Sequence, residues 1–333
     1  MRSFTTALTD PTINAILLLW LAALVDYLIG DPWRWLHPVQ VMGWLIQTYT
    51  QLSLKLFSPG WQRRSAGIVL GILMILGSGL AGWTIVWSCS QFSRVFGLII
   101  KVVLLASCFA GKSLRVAVED VLKPIERDNL AEARSRLSRY VGRDTENLER
   151  PEIHRALLET VAENAVDGVT APLFYAIAGS LTPVGAVPMA LAYKAASTLD
   201  SMVGYRREPY NDLGWFSAQL EDRLTWLPCR LTVITLGLIF GQPRKIWQIC
   251  SRDGVQDPSP NSGWSEAAYA GILQVQLGGT NTYRGVIREK PLLGKAVEPI
   301  GKAKIDLALD LTRYCFVSWI AIATLIHLVK SVW

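Results

Sequence analysis

Glu159, Glu163 and Asp167 stand four residues apart in ETVAENAVDG, so a helix through this segment lines three carboxylates along one face. Like charges at that spacing repel. The residues between them, Thr160, Val161, Ala162, Asn164, Ala165 and Val166, include no basic partner, whereas a solvated helix face normally interleaves both signs. Such a face calls for a cation: Mg²⁺, a basic side chain or a substrate amine. Asp167 falls toward the negative end of the helix, where the repulsion is worst. An uncharged run over residues 169–193 follows, and at its far end Lys194, Ser197, Thr198, Asp200 and Ser201 make a cluster too polar to be buried without a purpose.

Two further constellations could carry chemistry. His37 follows Asp26, Asp31 and Arg34 at the mouth of the first apolar segment, a polar knot of the kind that marks sites at a membrane boundary. Residues 259–271, SPNSGWSEAAYAG, read as a turn into a helix with Asn261 and Ser262 as caps, and free amides at such an end attract anions. The loop LGGTNTYRG comes next, where Gly278, Gly279 and Gly285 permit close backbone approach and Arg284 adds charge. By contrast, Gly111, Lys112 and Ser113 do not make a phosphate-binding P-loop, because Ala106 stands where that pattern needs glycine.

The elements that must position these residues are membrane-like. Of 333 residues, 51% are hydrophobic, and the mean hydropathy is +0.28, high for a protein dissolved in water. Uncharged runs over 65–93 and 314–329 approach or exceed the roughly 20 residues that a spanning helix needs. Trp33, Trp35, Trp44, Trp61 and Trp333 flank apolar runs, as an interfacial belt does. The net charge of +6 is spread among alternating acids and bases in the stretch 112–167, which argues against nucleic acid. Cys89, Cys108, Cys229, Cys250 and Cys315 form no CxxC pair and predict neither a disulfide framework nor a zinc site. No small-residue cleavage site follows the apolar stretch near the N-terminus, so it reads as a retained helix.

The expected fold is therefore all-α: a polytopic integral membrane protein forming a single domain over 1–333, with about four membrane segments. The apolar stretches are 12–30, 65–93, 95–111 with Lys101 inside it, a broken 169–193, a short 231–242 and 314–330, and the polar helical regions are 112–168 and 244–313. Pro172, Pro183 and Pro188, with Gly179 and Gly185, break the fourth stretch into halves, which predicts a re-entrant helical hairpin that keeps the acidic stripe and the Lys194 cluster on one side. Arg63 and Arg64 favour the cytoplasm for their end of the long segment.

Several long blocks occur in a fixed order: DYLIGDPWRWLHPVQVMG, ETVAENAVDGVTAPLFYAIAG, AYKAASTLDSMVGYR, LGWFSAQLEDRLTWLPCRLT, then DPSPNSGWSEAAYAGILQVQLGGTNTYRG and EKPLLG. Through them the sequence resembles the CobD/CbiB family of cobalamin-biosynthesis membrane proteins, described as adenosylcobinamide-phosphate synthases. The resemblance implies a multi-pass cell-membrane enzyme with its active site toward the cytoplasm. Its reaction joins a propionate carboxylate of adenosylcobyric acid, a corrinoid, to the amine of aminopropanol phosphate or a related phosphorylated amine, consuming ATP with Mg²⁺. On that reading Glu159, Glu163, Asp167 and Asp200 hold Mg²⁺ or receive the amine, with Glu163, Asp167 and Asp200 the metal set. Lys194, Arg206 and Arg284 bind phosphate, and His37 or Asp31 assists proton transfer. Asn164, Ser197 and Thr198 line the substrate, while Asn261, Ser262, Gly278 and Gly279 cradle phosphate. The competing expectations are a membrane sensor of the AmpE type and a corrinoid carrier. A sensor has little need of carboxylates, Lys194 and a phosphate-like loop together, and a carrier should show a repeated half, which is not evident.

Overall fold

The computed structural model describes residues 11–30, 37–205 and 207–332. In chain order the helices are α1 (Pro11–Leu28), α2 (Pro38–Leu56), α3 (Trp61–Phe92), α4 (Arg94–Ala106), α5 (Gly111–Glu126), α6 (Leu130–Leu137) and α7 (Arg150–Asn164). A π-helical turn, Ala165–Thr170, leads into α8 (Ala171–Ser180) and α9 (Ala186–Val203), followed by α10 (Tyr210–Leu213), α11 (Trp215–Ile239), α12 (Pro243–Asp253) and α13 (Ser262–Leu273). A β-hairpin, β1 (Gln276–Tyr283) and β2 (Val286–Gly294), precedes the last helix, α14 (Lys302–Lys330). The chain is a helical membrane protein with this one small sheet. Helices α1, α3 and α14 are long and apolar enough to cross a membrane, and α4 with α5 makes a fourth if that broken pair is one span.

The chain divides into two compact units. The first comprises Met1–Ala110, Ala171–Leu224 and Ser318–Trp333, the second Gly111–Thr170 and Thr225–Val317. In the first unit, α3 leaves Leu73, Leu76 and Leu80 more than half exposed, a strip that lipid rather than water must cover. Its opposite side is narrow. A side chain built on Gly67 would fall 2.0 Å from the Leu213 carbonyl oxygen, and one on Gly71 would fall 2.5 Å from the Phe216 ring. Small residues therefore let neighbouring backbone approach α3, the packing mode that works where lipid supplies no hydrophobic drive.

The expected hairpin over 169–193 is present, with different bounds. Helices α8 and α9 pack on each other, and α8, at 10 residues, extends only about 15 Å, too short to cross a bilayer. The second arm runs on to Val203, so Lys194, Ser197, Thr198 and Asp200 sit on the hairpin itself. The short apolar run 231–242 proves to be the end of a 25-residue helix, α11, because Glu221, Asp222 and Arg223 interrupt the hydropathy without breaking the backbone. Pro228 lies inside α11 and leaves the Leu224 carbonyl without its helical donor; the Tyr175 hydroxyl donates to it at 2.9 Å.

In the second unit α13 is the core element, with every residue from Gly263 to Ala270 buried. It packs on α7, α12 and the hairpin. The stretch 244–313, expected to be helical, contains that antiparallel hairpin, in register from Gln276 opposite Gly294 to Tyr283 opposite Val286. A bulge at Gly278 explains its glycine: φ is +82°, and a Cβ there would lie 1.9 Å from the Pro291 carbonyl oxygen.

The close packing of α3 is directly testable by thermal unfolding in detergent. Gly67→Ala should lower stability by about 1–3 kcal/mol, as overpacking does. Gly77→Ala on the same helix, with open space around it, should not destabilise. Equal effects of the two substitutions would contradict the packing.

Candidate functional site

Glu159, the first carboxylate of the stripe, is fully engaged within the second unit. It is 3% exposed and forms an ion pair with Arg143, which is 7% exposed. Arg155, one turn earlier on α7, donates to its Oε1 at 3.2 Å, and the Gly278 amide donates to the same oxygen at 2.9 Å. Asn281 on β1 accepts from both guanidiniums, at 2.8 Å from Arg143 and 3.1 Å from Arg155, and Arg155 also donates to the carbonyls of Gly278 and Thr280. Glu159 thus ties α7 to the hairpin. The basic partners missing between the carboxylates come from the turn before and from a distant loop.

Glu163 is different. It is exposed, yet protein crowds around it, and the resulting desolvation raises its pKa above the ordinary carboxylate range. Lys290 and Arg143 oppose the rise; Asp257 and Glu159 add to it. A carboxyl reached by water but ringed by protein and other acids has the character of a reactive group.

Helix α7 ends at Asn164, so Asp167 stands in the π-helical turn that follows and not on α7 itself. Asn164 donates to the Thr160 carbonyl of its own helix at 2.9 Å.

The group that joins Glu163 comes from later in the chain. Glu266 on α13 is 1% exposed; its two oxygens lack a hydrogen bond, and Lys290 on β2 lies 3.6 Å from Oε1. Burial pushes the Glu266 carboxyl up to about 8, against the pull of Lys290 and with Glu159, Glu163 and Asp257 adding to the rise. Burial alone would strip Lys290 of its charge, but Glu266, Glu163, Asp257 and Glu159 outweigh it and hold the ammonium charged. Asp257 accepts from the Ser259 amide at 2.9 Å through Oδ1, while its buried Oδ2 has no hydrogen bond. Glu266, Lys290, Asp257, Arg143 and Arg155 were not singled out in the sequence. The acid in NSGWSE and the lysine in EKPLLG were available signals, but only the β-hairpin brings them to α7.

The expected phosphate cradle takes another form. Gly278 and Gly279 lie in β1 rather than in a loop, and the Gly278 amide is committed to Glu159. Arg284 is at the exposed tip of the hairpin, where its amide donates to Asp144 Oδ1 at 2.8 Å. Asn261 does occupy the cap position of α13, but its Oδ1 accepts from Arg230 at 2.8 Å, and Arg230 also stacks on Trp226 and Trp264. The amides of Asn261 and Ser262 both donate to Ser259 Oγ.

The remaining expected residues belong to the first unit. Lys194, Ser197, Thr198 and Asp200 are half-buried on α9, with Thr198 donating to the Lys194 carbonyl at 2.7 Å. His37 caps α2, its Nδ1 accepting from the Val39 amide at 3.3 Å. Asp31, Arg34 and Arg206 lie outside the described residues. Among the described residues, no three His, Cys, Asp or Glu side chains are grouped to hold a metal ion.

The raised pKa of Glu266 fixes a pH dependence. Between its ordinary value of 4.5 and about 8, the folded chain keeps a proton that the unfolded chain has lost, so stability falls as pH rises through that window. Thermal unfolding midpoints measured at about pH 5 and about pH 8 should therefore drop less for Glu266→Gln than for the parent. Parallel drops would contradict a buried, protonated Glu266.

Comparison with known proteins identifies the family. The family model described as CobD/Cbib protein matches residues 19–312. The chain is 54% identical over 303 residues to "Cobalamin biosynthesis protein CobD" of Synechocystis sp., covering 91% of this chain and 89% of that one. It is 42% identical to the protein of the same name from Halalkalibacterium halodurans, with 86% and 88% covered, and 39% identical to "Cobalamin biosynthesis protein CbiB" of Salmonella typhimurium, with 92% and 93% covered. No solved structure matches. On the family match and these relatives, the chain belongs to the CobD/CbiB family.

Proposed function

We propose that this chain performs amide ligation in cobalamin biosynthesis, joining a propionate carboxylate of adenosylcobyric acid to the amine of aminopropanol phosphate or a related phosphorylated amine, with ATP consumed. The shared name of the relatives supports the pathway. The observation that carries the chemistry is the group of Glu163, Glu266 and Lys290: an accessible carboxyl of raised pKa beside a buried acid that is held by one charged lysine.

A carboxylate anion does not accept an amine directly. Transfer of the γ-phosphoryl group of ATP to the propionate oxygen gives an acyl phosphate and ADP; the amine nitrogen then attacks the acyl carbon, and inorganic phosphate leaves. Two protons must depart from the ammonium nitrogen on the way to the amide. Glu163 takes the first, because a carboxyl of raised pKa is a stronger base than an ordinary carboxylate, and the departing phosphate takes the second. Before that, its anionic form attracts the substrate ammonium. Lys290 supplies the cation of the group: it lies 3.6 Å from Glu266 in the free enzyme and faces phosphate oxygens when substrate enters. Mg²⁺, when bound with ATP, would supply neutralisation of phosphate charge; it commonly takes one or two carboxylates beside phosphate oxygens, and Asp257, whose buried Oδ2 lacks a hydrogen bond, is a donor of that kind. Use of ATP places the reaction on the cytoplasmic side of the cell membrane.

The test is an assay of purified, detergent-solubilised protein with adenosylcobyric acid, aminopropanol phosphate and Mg-ATP, the amide product being detected by mass. Product should form, and Glu163→Gln should reduce turnover on the order of 10²–10⁴-fold. Glu289→Gln, an exposed acid on β2 paired only with Thr280, should retain activity. Absence of product from folded protein with active substrates would remove the ligase reading.

A further inference from the structure

Lys101 breaks an otherwise apolar helix, α4, between Ile100 and Val102, and the proposed ligation gives it no work. Seven residues earlier on the same face stands Arg94, about 10 Å away along the helix axis. Both line a cavity of about 660 Å³ within the first unit, together with Trp83 and Trp87 of α3 and Asn14 and Leu18 of α1. The two tryptophans stack with ring centres 6.2 Å apart. Among the described residues, neither Arg94 nor Lys101 has an ion-pair or hydrogen-bond partner.

A half-buried ammonium flanked by isoleucine and valine is costly unless something anionic or water-filled faces it. Among the described residues that line the cavity there is no acid, so an anion from outside would meet both cations unopposed. Its chemistry is set by the walls: two cations, polar groups from Asn14 and Ser90, and an apolar remainder built from spanning helices α1 and α3. A free inorganic anion would use the cations and waste the rest. An anionic phospholipid uses both, its phosphodiester against Arg94 and Lys101 and its acyl chains along Leu18, Val86 and Leu98. Tryptophan at the lipid interface belongs to the same pattern. We propose that this cavity is a binding site for one anionic phospholipid, distinct from the carboxylate group of the second unit.

The experiment is native mass spectrometry of the full chain in detergent, titrated with phosphatidylglycerol or phosphatidylcholine of matched acyl chains. One phosphatidylglycerol should bind with a preference of about tenfold or more over phosphatidylcholine. Arg94→Gln with Lys101→Gln should abolish the preference, while Lys101→Arg, which keeps the charge, should preserve it. Millimolar inorganic phosphate should leave the bound lipid in place. Equal binding of the two lipids, a preference that survives the double substitution, or displacement by inorganic phosphate would each overturn the proposal.

Discussion

The second unit depends on one buried ion pair, Glu159 with Arg143. A carboxylate 3% exposed is tolerable only if its charge is matched and its oxygens are occupied, and Arg143, Arg155 and the Gly278 amide do both. The same contacts dictate where the β-hairpin lies against α7. Asp144, adjacent to Arg143, binds the amides of Arg284 and Gly285 at the hairpin tip, so the short loop holds the far end of β1 while Glu159 and Arg155 of α7 hold Gly278 at the near end. Lys290 reaches Glu266 only because β2 is held in that register.

Charge balance then explains the chemistry left over. Glu159, Glu163, Asp257 and Glu266 face Arg143, Arg155 and Lys290, and two of those three cations are spent on Glu159. The group has one acid more than it has bases. A proton on Glu266 is the least costly remedy, because this carboxyl is the one that neither water nor a hydrogen-bond donor reaches. What results is a buried acid that keeps its proton up to about pH 8 and a neighbouring acid of raised pKa, beside a fixed cation. In the first unit the constraint is different: lipid covers the outside of α3, while glycines on its other side let backbone approach.

Much of this was legible in the sequence. Hydropathy and length locate α1, α3 and α14, and the prolines between 169 and 193 foretell the α8–α9 hairpin. The acidic stripe points to α7, the helix that carries Glu159 and Glu163. It misleads about which carboxylate is available, because a four-residue spacing cannot reveal that Arg143 reaches Glu159 from a loop or that α7 ends before Asp167. Of the glycines in LGGTNTYRG, Gly278 does mark a close backbone approach, that of the partner strand, whereas a side chain on Gly285 would meet open space. Lys290 and Glu266 are 24 residues apart in number and on different kinds of element, so neither period of 3.6 nor of 2 connects them.

The central claim separates two neighbouring carboxylates: Glu159 builds the unit, and Glu163 is left available for the proposed chemistry. Hydrogen exchange of the backbone amides in 276–294, followed by mass spectrometry in detergent, tests the division directly. Glu159→Gln should strip protection from the hairpin, with the Gly278 segment among the first to exchange, whereas Glu163→Gln should leave protection at the parent level. Unchanged protection in Glu159→Gln, or equal loss in both variants, would contradict the account.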